Sequence, residues 1–183
     1  MENFNETDDE KVIENFFNSI ESSFSKMEDD FFDSYSRVNL EYFKAHPDAK
    51  KPEYCYNTDS GFDLYSVEDD FVLKPMERKG VRTGLHFNIP NGYEIQVRPK
   101  SGLALKHGIS IVNSPGTVDN GYTGEVKVIV FNTNNHPVKI TKGMKVAQAV
   151  FCAVINGKWV NLIEKKEIKD KDRNDRGFGS TGI

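Results

Sequence analysis

From Arg37 onward the chain returns again and again to short apolar or β-branched runs separated by turn-forming residues, and this punctuation limits the fold more than any other feature. The runs are Val38–Phe43, Gly61–Ser66, Phe71–Leu73, Val81–Phe87, Tyr93–Val97, Ile109–Val112, Glu125–Asn132, Val138–Ile140, Val146–Val154 and Trp159–Leu162. Between them stand Lys74-Pro75, Pro90-Asn91-Gly92, Ser114-Pro115-Gly116, Asn134-Asn135-His136-Pro137, Lys142-Gly143 and Asn156-Gly157. Residues that fix or free φ at these points end strands and start turns. Asn156-Gly157 between Val154-Ile155 and Trp159-Val160 predicts a tight hairpin. Many short strands at this spacing predict a mainly β protein, a jelly roll or distorted barrel, and exclude a doubly wound α/β fold.

The first 36 residues obey a different rule. Ile13, Phe17, Ile20, Phe24, Met27 and Phe31 step by four and three, which places them on one stripe of a helix. Thr7 and Glu10 have the spacing of a capping box. This leader holds 11 acidic side chains and 2 lysines, leaving 17 acids and 22 bases in residues 37–183, so an overall charge of −4 divides into −9 and +5. The expected organisation is an acidic helical extension over 1–36, a β core over 37–172 and a glycine-rich tail over 173–183. Docking of the helical stripe on the chain's own body is the expected use of the leader. A basic protein partner is the alternative.

Composition excludes several classes. No apolar run approaches the roughly 18 residues a membrane span needs, and the acidic start MENFNETDDE lacks the charge and apolar stretch of a secretion signal. Cys55 and Cys152 are far apart among apolar or aromatic neighbours, as expected of free thiols in a reducing compartment, which points to the cytoplasm. The four histidines show no metal-ligand spacing.

Chemistry concentrates in three places. Pro99-Lys100-Ser101-Gly102-Leu103-Ala104 offers a cation, a hydroxyl and glycine-exposed amides, suited to phosphate oxygens or to an ordinary turn. Asp119, between Val118 and Asn120, is either a turn residue or a carboxylate that orients and deprotonates water. The last residues, from Arg173 through Gly182, combine two arginines, one Phe, three glycines and two hydroxyls. Gly177, Gly179 and Gly182 match a dinucleotide-loop spacing, but no helix follows, so that reading fails. A mobile lid that stacks on a base and grips a polyphosphate fits the parts better.

Taken in order, these segments resemble the homotrimeric dUTPase family. Asp59-Ser60-Gly61-Phe62-Asp63-Leu64 is similar to its first motif and Pro99 through Ala104 to its second. Gly116-Thr117-Val118-Asp119 through Tyr122 and Gly124 is similar to the third, Gly143-Met144-Lys145-Val146-Ala147-Gln148 to the fourth, and Arg173 through Gly182 to the fifth. The resemblance implies a jelly roll that hydrolyses dUTP to dUMP and pyrophosphate, limiting uracil in DNA, with Mg2+ carried on the triphosphate and no direct nucleic-acid contact. It implies Asp119 as the carboxylate activating water, and Tyr122 under the deoxyribose. Asn113, with Gly116 and Val118 of the same hairpin, would read uracil. Lys100, Ser101, Gly102 and Gln148 would hold phosphates, and Asp63 would meet magnesium through water. From a neighbouring subunit, Phe178 would stack on the base and Arg173 reach the γ-phosphate, with Gly179 and Ser180 beside them. Lys100 stands where the family has arginine, so its charge is kept and the planar fork is lost. A dCTP deaminase of the same fold and a regulatory binding protein on the same trimer are the alternative readings.

Overall fold

The structure is a computed structural model that describes residues 11, 13–24 and 37–169. The chain divides into two compact units, Met1–Glu41 and Tyr42–Ile183. In the first, residues 13–24 form a helix, α1, as the stripe predicts. Phe16 and Phe17 meet edge to face at 6.2 Å, and Ser23 bonds back to the Ser19 carbonyl. The capping pair Thr7 and Glu10 and the stripe positions Met27 and Phe31 lie outside the described residues. Among the described residues no helix is long and apolar enough to cross a membrane.

The second unit is mainly β, the jelly roll that the punctuation predicts. Its strands are β1 (Glu41–Lys44), β2 (Gly61–Tyr65), β3 (Phe71–Leu73), β4 (Arg78–Arg82), β5 (Leu85–Asn88) and β6 (Tyr93–Arg98). After a short helix, α2 (Ser101–His107), come β7 (Ile109–Ile111), β8 (Gly116–Val118), β9 (Lys127–Asn132), β10 (Val138–Ile140) and β11 (Lys145–Ala153). The largest sheet runs β2–β11–β6–β8, a second runs β4–β9–β7, and β1–β5 and β10–β3 form two-stranded ribbons. All the registered pairs are antiparallel.

Strand parity sorts these residues. In β2, Phe62 and Leu64 point into the core while Asp63 points to the opposite face. Ile95 and Val97 of β6, Val128 and Val130 of β9 and Val81 of β4 complete an interior of branched side chains. β11 departs from simple alternation. Its pairing with β2 slips between Lys145 and Ala147, a bulge that puts both Val146 and Ala147 in the core.

Three local expectations differ from the structure. Val81–Phe87 is two strands, because Gly84 turns the chain with φ +67° and a Cβ there would come within 2.7 Å of the His46 Cβ. The segment beginning at Ser101 is a helix rather than a turn: helix-forming Leu-Ala-Leu-Lys seats Leu103 in the core, and Gly108 closes it. Asn156-Gly157 makes no hairpin. The Asn156 side chain accepts the Lys158 N–H and caps a 3-10 turn over Gly157–Trp159, and the expected strand at Trp159–Leu162 is absent. β8 opens the third motif, where Gly116 and Val118 bury against Val97 and Ile95.

Two polar anchors hold the loops. Asn132 is fully buried at the end of β9, and its amide donates to the carbonyls of Leu73, Lys74 and His136 at 3.0, 3.1 and 2.9 Å. Its oxygen accepts the Asn134 N–H. At the other anchor, Glu125 accepts Arg82 Nε at 2.9 Å and the Gly84 N–H at 2.8 Å, while Thr83 Oγ1 donates to the Val126 carbonyl at 2.6 Å. Burial pulls the Glu125 carboxyl pKa upward, but the Arg82 and Gly84 bonds outweigh it and hold it below the ordinary range.

Replacing Asn132 by Leu removes the amide donor shared by the carbonyls of buried Leu73 and of Lys74 and His136, and chemical denaturation is expected to register a loss of about 3 kcal/mol. Glu125→Gln follows from the lowered pKa. A depressed folded pKa contributes stability above the unfolded value of 4.5 that is lost as pH falls through the folded pKa. Urea midpoints of the wild type and Glu125→Gln are therefore expected to differ at neutral pH and to converge below that value.

Candidate active site

The first candidate site is a polar cavity of about 340 Å³ whose lining includes Ser60, Gly61, Asp63, Lys100, Lys145 and Gln148. β2 and β11 supply its wall, since register sets Asp63 opposite Gln148. The bulge brings in Lys145. In a regular strand, residues three apart face opposite sides, so the slip between Lys145 and Ala147 is what lets Lys145 and Gln148 share one face. Asp63 Oδ1 pairs with the Lys100 ammonium and Oδ2 with that of Lys145 at 2.6 Å. Burial raises the Asp63 pKa, yet the two lysines more than offset it and keep the carboxyl below its usual value; the Lys145 ammonium is correspondingly pushed up. Gln148 Nε2 donates to the Pro99 carbonyl at 2.8 Å, fastening the approach to α2. Ser101 and Gly102 open α2 directly after Lys100 and are exposed, though neither lines this cavity.

The second cavity, about 350 Å³, is lined by Thr117, Val118, Asp119, Tyr122, Glu125 and others from β4 and β9. Asp119 stands exposed just past β8, and the Tyr122 N–H returns to its carbonyl at 3.0 Å. Tyr122 Oη donates to the Glu125 carbonyl at 3.0 Å, laying the ring against Gly124, where a Cβ would come within 2.6 Å of it. Only glycine permits that approach. His86 Nδ1 contacts the Thr123 carbonyl at 2.8 Å from the facing strand β5. Asn113 sits in the turn before β8 with its side chain over Gly116, close enough that a Cβ there would lie 2.9 Å from Nδ2.

Within one chain these two clusters do not meet. β2 and β8 are the outer strands of the four-stranded sheet, three strand spacings or about 14 Å apart. Asp63 is level with Gln148 and Arg98, whereas Val118 is level with Ile95, which sets Asp119 a further four residues, about 13 Å, along the strands. The structure thus gathers Asp63, Lys100 and Gln148 on one side, with Ser101 and Gly102 adjacent, and Asn113, Gly116, Val118, Asp119 and Tyr122 on the other. Arg173, Phe178, Gly179 and Ser180 lie outside the described residues.

Sequence reasoning did not single out Lys145 or Glu125. Lys145 is a basic residue three before Gln148, and regular-strand parity sets it on the far face; the signal is the Val-Ala pair between them, two apolar residues in a row. As for a metal, no group of three His, Cys, Asp or Glu side chains among the described residues has the arrangement to hold one. Asp63, the carboxylate that the two lysines of this cavity hold, suits a cation that arrives already ligated by phosphate and water, the habit of Mg2+.

Comparison with known proteins bears on both clusters. A sequence model of the dUTPase family matches residues 48–182. A protein of Hydrogenobaculum sp. (strain Y04AAS1) named deoxyuridine 5'-triphosphate nucleotidohydrolase is 46% identical over 140 residues, covering 76% of this chain and 95% of that one. Among solved structures, a dUTPase of Staphylococcus bacteriophage 80alpha, determined with dUpNHpp, superposes with TM-score 0.72 at 23% identity, covering 80% of this chain and all of that one. A dUTPase of phage phi11 of S. aureus, whose description concerns the coordination of a structural Mg(II) ion, gives 0.65 at 23% identity over 73% of this chain and all of that one. At these identities the two phage enzymes bear on the fold, and the fold agrees. The family match spans both cavities and every motif from Asp59 to Gly182, and with the close relative it shows that the chain belongs to the dUTPase family.

Proposed function

We propose that this protein hydrolyses dUTP to dUMP and pyrophosphate, with each active site assembled from more than one copy of the chain. The observation that carries the reading is the division of a family member's chemistry into two incomplete halves: a lysine-bearing cavity around Asp63 and a carboxylate-and-tyrosine cavity around Asp119. A triphosphate needs cations along its length and a water held in line with one phosphorus; neither half offers both. Copies placed so that one chain's Asp63 cavity meets another's Asp119 cavity supply the full set, and a homotrimer is the assembly proposed.

In that site Asp119 orients the attacking water and takes its proton as the oxygen closes on the α-phosphorus. Tyr122, propped against Gly124, lies under the deoxyribose and leaves no room for a 2′-hydroxyl. Asn113 and the backbone from Gly116 to Val118 read the uracil edge. Lys100, Ser101, Gly102 and Gln148 take phosphate oxygens, and pyrophosphate leaves with its charge spread over them. Magnesium carried on the triphosphate supplies further charge neutralisation, and Asp63 meets it through its water shell. Arg173, Phe178, Gly179 and Ser180 close the site from a neighbouring copy, Phe178 on the base and Arg173 on the γ-phosphate. The reaction supplies dUMP and keeps uracil out of DNA in the cytoplasm. The acidic leader lies outside the matched residues and has no part in these steps.

Asp119→Asn is expected to lower dUTP turnover by at least about a thousandfold while the imido analogue of dUTP still binds; retained turnover, or ammonia release from dCTP by the wild type, overturns the assignment. Equal amounts of Asp119→Asn and Lys100→Ala chains, refolded together, are expected to regain about a quarter of wild-type activity, since that fraction of randomly assembled sites pairs two intact halves. No recovery would place each site within one chain.

A further inference from the structure

Lys145 has no role in the steps above, yet it is the exposed member of the Lys100–Asp63–Lys145 cluster. The Asp63 carboxylate is 18% exposed, Lys100 29% and Lys145 50%. A carboxylate held inside by two cations, one of them on a free stem, is an arrangement in which one partner can leave at little cost. The Lys145 ammonium also stands over the Tyr65 ring, 5.8 Å from its centroid, so Asp63 is not its one favourable neighbour.

Charge makes the movement useful. The cavity's lining carries three carboxylates, Glu53, Asp59 and Asp63, against two lysines, a net charge of −1. That is a poor receptacle for a polyanion while both lysines are spent on Asp63. Glu53 is already paired with Lys51 at 3.0 Å, and Asp59 accepts the Tyr56 N–H at 3.0 Å, so Asp63 is the carboxylate whose partners decide what the cavity offers.

We propose that Lys145 is a second phosphate-binding cation of this cavity, parked on Asp63 in the empty protein and released to the nucleotide's phosphates when the substrate arrives. The proposal rests on the dUTP reading and extends it: Asp63 exchanges a lysine for the hydrated cation that the triphosphate brings, and the freed ammonium moves to phosphate oxygen. No bond is made or broken; one ion pair is traded for two. Lys145 owes its place to the β11 bulge, which turns it onto the Asp63 face.

The test is a double-mutant cycle on the full-length protein, with the imido analogue of dUTP as probe and calorimetric Kd as readout, with EDTA present and then with magnesium. With EDTA, Asp63→Asn is expected to tighten analogue binding about tenfold, because both lysines are released to the phosphates. Adding Lys145→Met to Asp63→Asn is expected to lose about that factor again, and Lys145→Arg to retain it. With Asp63 intact, Lys145→Met should enlarge the gain in affinity that magnesium confers, since Asp63 then has only Lys100 to offset its repulsion of the bare triphosphate. Should Lys145→Met, and Lys145→Gln as a second variant, leave the Asp63→Asn affinity unchanged, Lys145 serves only to neutralise Asp63 and the proposal falls. A wild-type protein that does not bind the analogue at all would instead overturn the dUTP reading.

Discussion

The two-sided pairing of β11 is the constraint on which the site depends. This strand hydrogen-bonds to β2 along one edge and to β6 along the other, so neither neighbour can slide without breaking a ladder. Its single bulge is locked between those ladders. Asp63 from β2, Gln148 and Lys145 from β11 and, through Gln148, the Pro99 loop ahead of α2 all take their positions from that one registered strand. The cluster is therefore preorganised by backbone hydrogen bonds rather than by the side chains that do the chemistry.

The Asp119 cluster is built on a different principle. It hangs on a loop between the short strand β8 and β9, and its geometry comes from side chain to backbone bonds: Tyr122 to Glu125, Glu125 to Gly84, Thr83 to Val126, His86 beside Thr123. A strand-borne half and a loop-borne half stand on opposite edges of one sheet, and on the proposed function their joint chemistry would belong to an assembly of chains. On the same reading the separation would serve specificity, because phosphates and base would be recognised by parts of the fold that can vary independently.

Much of this was legible in the sequence. Alternation in Gly61–Tyr65 and Tyr93–Arg98 and the turn residues between runs gave the strands their places, and the helical stripe from Ile13 to Phe24 gave α1. What escaped had local physical causes. A single positive φ at Gly84 divided one strand-like run, and Asn156 spent its side chain on a 3-10 cap where the Asn-Gly pair suggested a hairpin. Helix α2 was hidden because its fate turned on burying one residue, Leu103. The site residues were visible as motifs, but not their distribution over two cavities, which is set by strand order. Lys145 was invisible for the strictest reason: its facing depends on a bulge, and periodicity arguments assume there is none.

Asn132 stands about 17 Å along β9 from Lys127, which borders the second cavity. Its amide ties the connection after β3 to the one after β9, at the far end of that strand from the chemistry. On the proposed function this buried polar joint would lie away from the bound nucleotide. Substitutions around Asp119 or Lys100 would then alter turnover without touching that joint, leaving folding stability and activity free to vary apart.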